Sequence, residues 1–206
     1  MMRDREATER LIAGMIDYGA LRTPRIIKAF RAVDRGAFVP EYYGEERYGD
    51  YPLPIGEGQT ISQPTTVAFM LELLGAEPGE RVLDIGSGSG WTTALLGYIV
   101  GPQGEVTGLE YRKSLVAVGQ RNIAPFGFGH VRIEEAGEAL GMPGEQYDRI
   151  LVSAAARELP ETLLEQLKPG GTLVIPIDES LCRFTKNEQG SVREEVYPGF
   201  LFVTLM

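Results

Sequence analysis

Histidine and cysteine each occur once in this 206-residue chain, as His130 and Cys182, and tryptophan occurs once, as Trp91. A zinc site built on several His or Cys ligands therefore has no material, and no disulfide can close within the chain. A Ser-His-Asp triad would have to run through His130. Cationic side chains are also scarce: 20 Lys and Arg stand against 29 Asp and Glu, a formal charge of −9. The deficit is uneven, since residues 1–50 hold nine of each sign and residues 51–206 hold 11 bases against 20 acids. Sequence-independent nucleic-acid affinity comes from Lys and Arg displacing counterions, so this balance argues against nucleic acid as a partner. No apolar run approaches the ~18 residues that span a bilayer, and Met1-Met2-Arg3-Asp4 opens without an apolar signal core. The expectation is a cytoplasmic monomer that holds no metal and has neither membrane nor nucleic acid as partner.

What the chain does have is 43% hydrophobic residues and 26 glycines, which suits one domain with a sizeable core. Within 1–206, residues 1–63 read as an N-terminal helical cap and substrate loop, and 64–206 as an α/β core. Leu11, Ile12, Met15 and Ile16 fall at helical spacing. Thr23-Pro24 looks like an N-cap with proline at the first helical position, ahead of Ile26, Ile27, Phe30 and Val33. From Asp34 to Gln63 no strand or helix period appears, which predicts a long ordered loop rich in aromatics. Then come helix 67–74 stopped by Gly75, strand 81–85, helix 91–100, strand 105–110, helix 112–124 and strand 131–135. Strand 147–153, helix 160–167 and strand 171–177 follow. Short, continuously apolar strands such as Val82-Leu83-Asp84-Ile85, alternating with helices, predict a doubly wound, mostly parallel α/β sheet of Rossmann-like kind. Segments 181–185, 192–197 and 200–205 lack intervening helices and predict antiparallel edge strands at the C-terminus.

The most informative stretch is Asp84-Ile85-Gly86-Ser87-Gly88-Ser89-Gly90, where a buried strand ends in an acid and three alternate glycines lead into a helix. Glycine allows the tight turn and lets a ligand approach the backbone. A phosphate-cradling loop would carry Lys-Ser or Lys-Thr after the last glycine, and none occurs. A dinucleotide fingerprint has the spacing G-x-G-x-x-G, whereas this is G-x-G-x-G. The pattern is similar to the S-adenosylmethionine loop of class I methyltransferases, in which a second acid ends the next strand. Glu110 stands there, placed for the two ribose hydroxyls, with Tyr111 beside it as an adenine-side wall. A sulfonium ligand without phosphate suits an acidic domain. A glycine-rich βα turn that binds nothing is the plain alternative.

Upstream, Asp34-Arg35-Gly36-Ala37-Phe38-Val39-Pro40 is followed by Pro52-Leu53-Pro54-Ile55-Gly56-Glu57-Gly58-Gln59-Thr60-Ile61-Ser62-Gln63-Pro64. Downstream stand Ala154-Ala155-Ala156, Leu167-Lys168-Pro169-Gly170-Gly171 and Leu173-Val174-Ile175-Pro176. From about Asp34 to Pro176 the chain resembles the protein-L-isoaspartate O-methyltransferase family, whose members carry D-R-x-x-F-V-P and L-P-I-G-x-G-Q-T-I-S-x-P. The resemblance implies methyl transfer from S-adenosylmethionine to the α-carboxyl of L-isoaspartyl residues in damaged proteins. The ester then cyclises to a succinimide whose hydrolysis returns some normal aspartyl linkages. It also places the active-site serine at Ser62, with Gln59, Thr60 and Ile61 lining the cofactor and substrate cleft. The acceptor carboxylate, with a pKa near ~4, is ionised at neutral pH, so a site without a catalytic histidine suits the reaction. Locally, Thr60-Ile61-Ser62-Gln63-Pro64 also reads as a helix N-cap.

The chain departs from the family pattern in three places. Thr65 stands where members have histidine after the serine. Gly137-Glu138-Ala139-Leu140-Gly141 is one residue shorter than G-D-G-x-x-G, leaving Glu138 to meet the adenine amino group. Thr204 replaces proline in F-V-P-L. These keep open a methyltransferase for another carboxylate or a small molecule, and a binding protein without catalysis. Of the rest, His130 reads as a strand-entry residue, Cys182 as core, and the tyrosines at 42, 43, 48 and 51 as pins for the loop. Trp91 reads equally as a cofactor-stacking ring or as packing at the helix start.

Overall fold

Proline at the first helical turn, where a missing N–H costs nothing, opens two of the helices. The computed structural model describes residues 2–205. Helix α1 is Met2–Asp17, α2 is Pro24–Ala32, and α3 is Pro64–Leu74, ended by Gly75 in the left-handed conformation at φ +60°. Thr23 and Gln63 flank α2 and α3 without capping them through their own side chains. Distant carboxylates serve these helix starts instead. Glu72 accepts from the N–H groups of Arg22 and Thr23 and from Thr23 Oγ1, each at 2.7 Å. Asp50 accepts from Thr65 N at 2.8 Å, Thr65 Oγ1 at 2.6 Å and Gln63 Nε2 at 3.3 Å. The expected N-cap thus falls within the 60–64 stretch, on Gln63, but its side chain does not cap the helix and Asp50 serves the first turn instead.

The 34–63 segment is also not a plain loop. It holds 3₁₀ helices at Arg35–Phe38 and Glu41–Tyr48 and an antiparallel hairpin, β1 (Leu53–Gly56) with β2 (Gln59–Ile61). The elements are too short for a period to show. The hairpin turn places Gly56, Glu57 and Gly58 at positive φ, which favours glycine at two of the three positions.

The main sheet has the order β5-β4-β3-β6-β7-β8-β9. Its strands are β3 (Arg81–Ile85), β4 (Glu105–Glu110), β5 (Val131–Glu135), β6 (Tyr147–Val152), β7 (Leu167–Ile177), β8 (Ser180–Lys186) and β9 (Val192–Pro198). Strands β5 to β7 pair in parallel and β7-β8-β9 antiparallel. Helices α4 (Trp91–Val100), α5 (Lys113–Ile123) and α6 (Glu161–Glu165) form the crossovers. The fold is the expected doubly wound, mostly parallel α/β sheet of Rossmann-like kind, with antiparallel edge strands at its C-terminal side. Helix α6 is shorter than the expected 160–167, because Leu167 already pairs with Tyr147 as strand.

The third expected tail strand, 200–205, does not form. After Gly199, at φ +95°, the chain leaves the sheet edge and crosses the carboxyl end of β6. Two backbone bonds hold it there, Ala155 N to Val203 O at 2.7 Å and Leu205 N to Ala155 O at 2.8 Å. One apolar cluster runs from Ile12 and Phe30 through Val67 and Leu71 to Val82, Leu95 and Val106. A second lies on the other sheet face around Leu83, Ile150, Leu163 and Leu173. No helix among the described residues is long and apolar enough to cross a membrane.

Candidate active site

From β3 the chain steps outward through β4 to β5, then returns to place β6 on the other side of β3. A crevice opens at the carboxyl ends of strands where the winding reverses, which is where open α/β sheets bind ligands. The glycine loop sits at that point. Gly86, Gly88 and Gly90 have φ of +83°, +54° and +91°, and the N–H groups of Gly86 and Ser87 donate to Leu109 O at 2.8 and 3.0 Å. A Cβ on Gly88 would stand 3.2 Å from Ile55 Cδ1, so the hairpin β1-β2 packs down onto the loop. A Cβ on Gly90 would lie 3.0 Å from Ile133 Cδ1 and 3.2 Å from Gly119 O. Gly90 therefore serves close packing of the loop on α5.

The loop forms one wall of a cleft of about 760 Å³. Of the residues expected on the cofactor or in catalysis, Gln59, Thr60, Ile61, Ser62, Gly86, Ser87, Gly88, Glu110, Tyr111 and Glu138 all line it. Asp84 and Gly90 do not. Asp84 is fully buried beneath the loop, where its Oδ2 accepts from Thr93 Oγ1 at 2.6 Å and its Oδ1 has no partner. Burial pushes the Asp84 carboxyl up to about 7; the Thr93 bond opposes the rise and the charge of Glu110 adds to it.

Glu110 is 6% exposed. Its Oε2 accepts from Gly88 N and its Oε1 from Arg112 N, both at 2.8 Å. Each oxygen keeps a further lone pair, so the carboxylate is fixed in orientation and still able to accept from a ligand. Ser87 Oγ is buried in the same wall without a partner. Tyr111 is an exposed part of the cleft lining, with the Arg112 guanidinium 5.5 Å from its ring centroid, and Glu138 is exposed in the same lining. Trp91 packs at the helix start: it is buried edge-on against Phe30, with its Nε1 donating to Val33 O at 3.3 Å, and it reaches the cleft wall from there.

A second, wider cleft of about 2130 Å³ lies between α1, the 44–52 segment, the start of α3 and the tail at 198–203. Thr60, Ser62, Ser153 and Val203 line both clefts, which therefore meet at these four residues. Tyr48 and Tyr51 line the wider cleft. Tyr48 is pinned by its hydroxyl donating to Asp34 Oδ2 at 3.1 Å, and its phenol is raised by burial and by that carboxylate. His130 bonds the carbonyl of Gly97 and lines neither cleft, and Cys182 is buried in the second apolar cluster.

The family model for protein-L-isoaspartate(D-aspartate) O-methyltransferase matches residues 6–206. The chain belongs to this family. A protein-L-isoaspartate O-methyltransferase of Methanopyrus kandleri is 41% identical over 208 residues, covering 98% of this chain and 92% of the relative. That of Pyrococcus horikoshii is 37% identical, covering 100% and 97%. Among solved structures, a protein assigned as a protein-L-isoaspartate O-methyltransferase from Plasmodium falciparum, in complex with S-adenosyl-L-homocysteine, superposes with a TM-score of 0.84. It is 28% identical and covers 96% of this chain and 97% of that one.

For a protein-L-isoaspartate O-methyltransferase, the residues missed from the sequence line the smaller cleft, and two of them, Ser153 and Val203, line the wider one as well. Ile55 and Ser153 reach the clefts through the hairpin packing and the end of β6, and Val203, Thr204 and Leu205 through the redirected tail. The tail's F-V-x-L motif was visible. Its destination depends on the bridge from Thr204 to Ala155, which no local pattern encodes.

Proposed function

We propose that this protein transfers a methyl group from S-adenosylmethionine to the α-carboxyl of L-isoaspartyl residues in proteins and peptides. The observation that carries the reading is the meeting of two clefts at Thr60, Ser62, Ser153 and Val203: a methyl donor and a polypeptide acceptor need separate entrances and one common point. The smaller cleft suits the donor. Its glycine loop admits close approach, its oriented Glu110 carboxylate can accept from the ribose hydroxyls, and its unpartnered Ser87 Oγ awaits a polar group. Gln59, Thr60, Ile61, Gly86 and Gly88 line that cofactor subsite, Tyr111 walls the adenine side, and Glu138 meets the adenine amino group. Asp84 acts from beneath the loop, and Gly90 by keeping it packed.

S-adenosylmethionine, when bound, supplies an electrophilic methyl group on a sulfonium. The chain's own residues then have little proton chemistry to perform. The acceptor carboxylate is already ionised at neutral pH, which removes the need for a general base. Ser62 Oγ donates a hydrogen bond to one carboxylate oxygen and leaves the other to attack. Good alignment of reacting groups alone removes ~7–11 kcal/mol of barrier, and the rigid carboxyl ends of β3, β4 and β6 supply that alignment.

In this reading residues 1–63 cap a single domain and supply its acceptor side. Its working form in this reading is a cytoplasmic monomer, with light scattering as the test of the monomer, and it has no nucleic acid as partner, which the acidic balance of residues 51–206 supports. The functional test is transfer from labelled S-adenosylmethionine to an isoaspartyl peptide, with its aspartyl twin as control. Labelling confined to the isoaspartyl peptide is expected; equal labelling of both would overturn the substrate assignment.

A further inference from the structure

Behind the meeting point of the two clefts lies a buried cation. Arg35 is 2% exposed, and its guanidinium donates only to backbone carbonyls. Nη1 reaches Arg47 O at 2.5 Å and Gly49 O at 3.4 Å; Nη2 reaches Tyr51 O at 3.0 Å and Ser62 O at 3.4 Å. The same guanidinium carbon stands 5.6 Å from the ring centroid of Trp91, which lines the smaller cleft. Among the described residues it forms no ion pair, and Asp50 is the carboxylate that acts on it from nearby. Burying a charge without a paired carboxylate is costly, so the arrangement needs a return. A planar fork with five donors can hold several carbonyls in one fixed geometry, which a lysine point charge cannot.

Those carbonyls belong to two separate walls. Arg47, Gly49 and Tyr51 line the wider cleft, and Ser62 lines both. The two segments flank the β1-β2 hairpin, whose Leu53–Ile61 pairing joins them at one end. Beyond the hairpin, where 47–51 faces Ser62 and the start of α3, they are tied through Arg35 from within, and from outside through Asp50, which accepts from Gln63 Nε2 and from Thr65 N and Oγ1. The glycine loop, by contrast, hangs from the β3-β4 backbone and from Glu110, and none of its bonds passes through Arg35.

We propose that Arg35 is a positioning residue for the methyl acceptor: its guanidinium fixes the 47–51 wall against Ser62, setting the acceptor side of the junction without setting the cofactor side. This rests on the isoaspartyl reading for the acceptor, but the holding role stands independently of it.

Two measurements on Arg35→Lys, in the full chain, separate the two ideas. Amide hydrogen exchange reads the holding role directly: exchange at residues 47–51 and 60–63 is expected to accelerate, with β3, β4 and the glycine loop unchanged. Kinetics read the consequence. Misplacement on the scale of an ångström costs roughly 10²-fold, so kcat/KM for the isoaspartyl peptide should fall roughly 10- to 100-fold, while the Kd for S-adenosylhomocysteine stays within about threefold. Ser62→Ala should then cost less in the Arg35→Lys background than in the natural chain, because a displaced hydroxyl has less to lose. Unchanged exchange at both segments, fully additive losses, or a cofactor Kd weakened as much as kcat/KM would each overturn the proposal. If the natural chain shows no isoaspartyl-selective transfer, the function reading fails and the exchange arm still decides whether Arg35 holds the walls. Should Arg35→Lys not fold, Arg35→Gln keeps N–H donors for the same carbonyls without the buried charge and carries the same measurements.

Discussion

Asp84 offers a test in which the sign and size of the effect both come from the site. Its carboxyl is fully buried, one oxygen takes the Thr93 hydroxyl, the other has no partner, and its folded-state pKa is raised from 3.8 to about 7. The native state thus keeps this proton to higher pH than the unfolded chain does. Stability tied to the protonated form is fully present below 3.8 and is lost as pH rises through about 7. Each tenfold difference in proton affinity between the folded and unfolded chain is worth ~1.4 kcal/mol, so the whole span amounts to about 4 kcal/mol. Asp84→Asn removes the titration and keeps the shape. Its amide oxygen can take the Thr93 bond, and its NH2 group takes the place of the oxygen that has no partner. Urea unfolding of both proteins, followed by Trp91 fluorescence from pH 5 to 9, gives the difference in unfolding free energy with every shared titration cancelled. The natural chain should lose about 2–3 kcal/mol relative to the variant between pH 5 and 7.5 and run parallel to it above pH 8. A difference that does not change with pH would refute the reasoning, because it would mean that the buried carboxyl titrates alike in both states.

Ser62→Ala should lower kcat/KM for an isoaspartyl peptide roughly 10- to 100-fold, the worth of a hydrogen bond to a charged group, while leaving S-adenosylhomocysteine affinity unchanged by calorimetry. Glu110→Gln should do the reverse. Weaker acceptance from ligand hydroxyls and from Gly88 N should raise the S-adenosylhomocysteine Kd roughly tenfold or more, and an unaltered Kd would remove Glu110 from the cofactor. Gly88→Ala forces a side chain into φ +54° and sets its methyl 3.2 Å from Ile55 Cδ1. The expected cost is ~1–2 kcal/mol, seen as a Tm lower by a few degrees together with weakened cofactor binding.

The α/β framework was legible wherever a strand is buried on both faces. Arg81–Ile85, Trp91–Val100, Glu105–Glu110 and Val131–Glu135 have the bounds that their apolar runs and flanking glycines predict. Strands of that kind owe their conformation to local composition and to a core that covers either side. The glycine loop was legible for a related reason: its chemistry is written in contiguous residues. The 34–63 segment was not, because 3₁₀ turns and a hairpin of four and three residues stabilise themselves by long-range partners such as Arg35, Asp34 and Asp50 rather than by periodicity. Segment 200–205 failed as a strand for the converse reason. Its sequence suits a strand, but Gly199 turns it off the edge of β9 and onto Ala155.

This difference in legibility follows a physical division within the site. The cofactor side is built on parallel strands whose ladders and two-sided burial make them the last parts to open. In the proposed reading the junction with the acceptor side is assembled from three segments distant in sequence, Thr60 with Ser62, Ser153, and Val203, and the bonds that hold it include the β1-β2 pairing, Arg35 to Ser62 O, Asp50 to Thr65, Ser153 N to Ile85 O, and the pair joining Ala155 to the tail. Such a junction can loosen without unfolding the sheet. Substitutions should therefore sort by the side they touch, with Glu110 and Gly88 read in cofactor affinity, and Ser62 and Arg35 in the kinetics of the acceptor. An isoaspartyl residue arrives within a polypeptide whose neighbours vary, so an adaptable acceptor wall beside a rigid donor wall fits the task. On the proposed roles, the four-carbonyl grip of Arg35 limits that adaptability at Ser62, where the reacting carboxylate would have to be held.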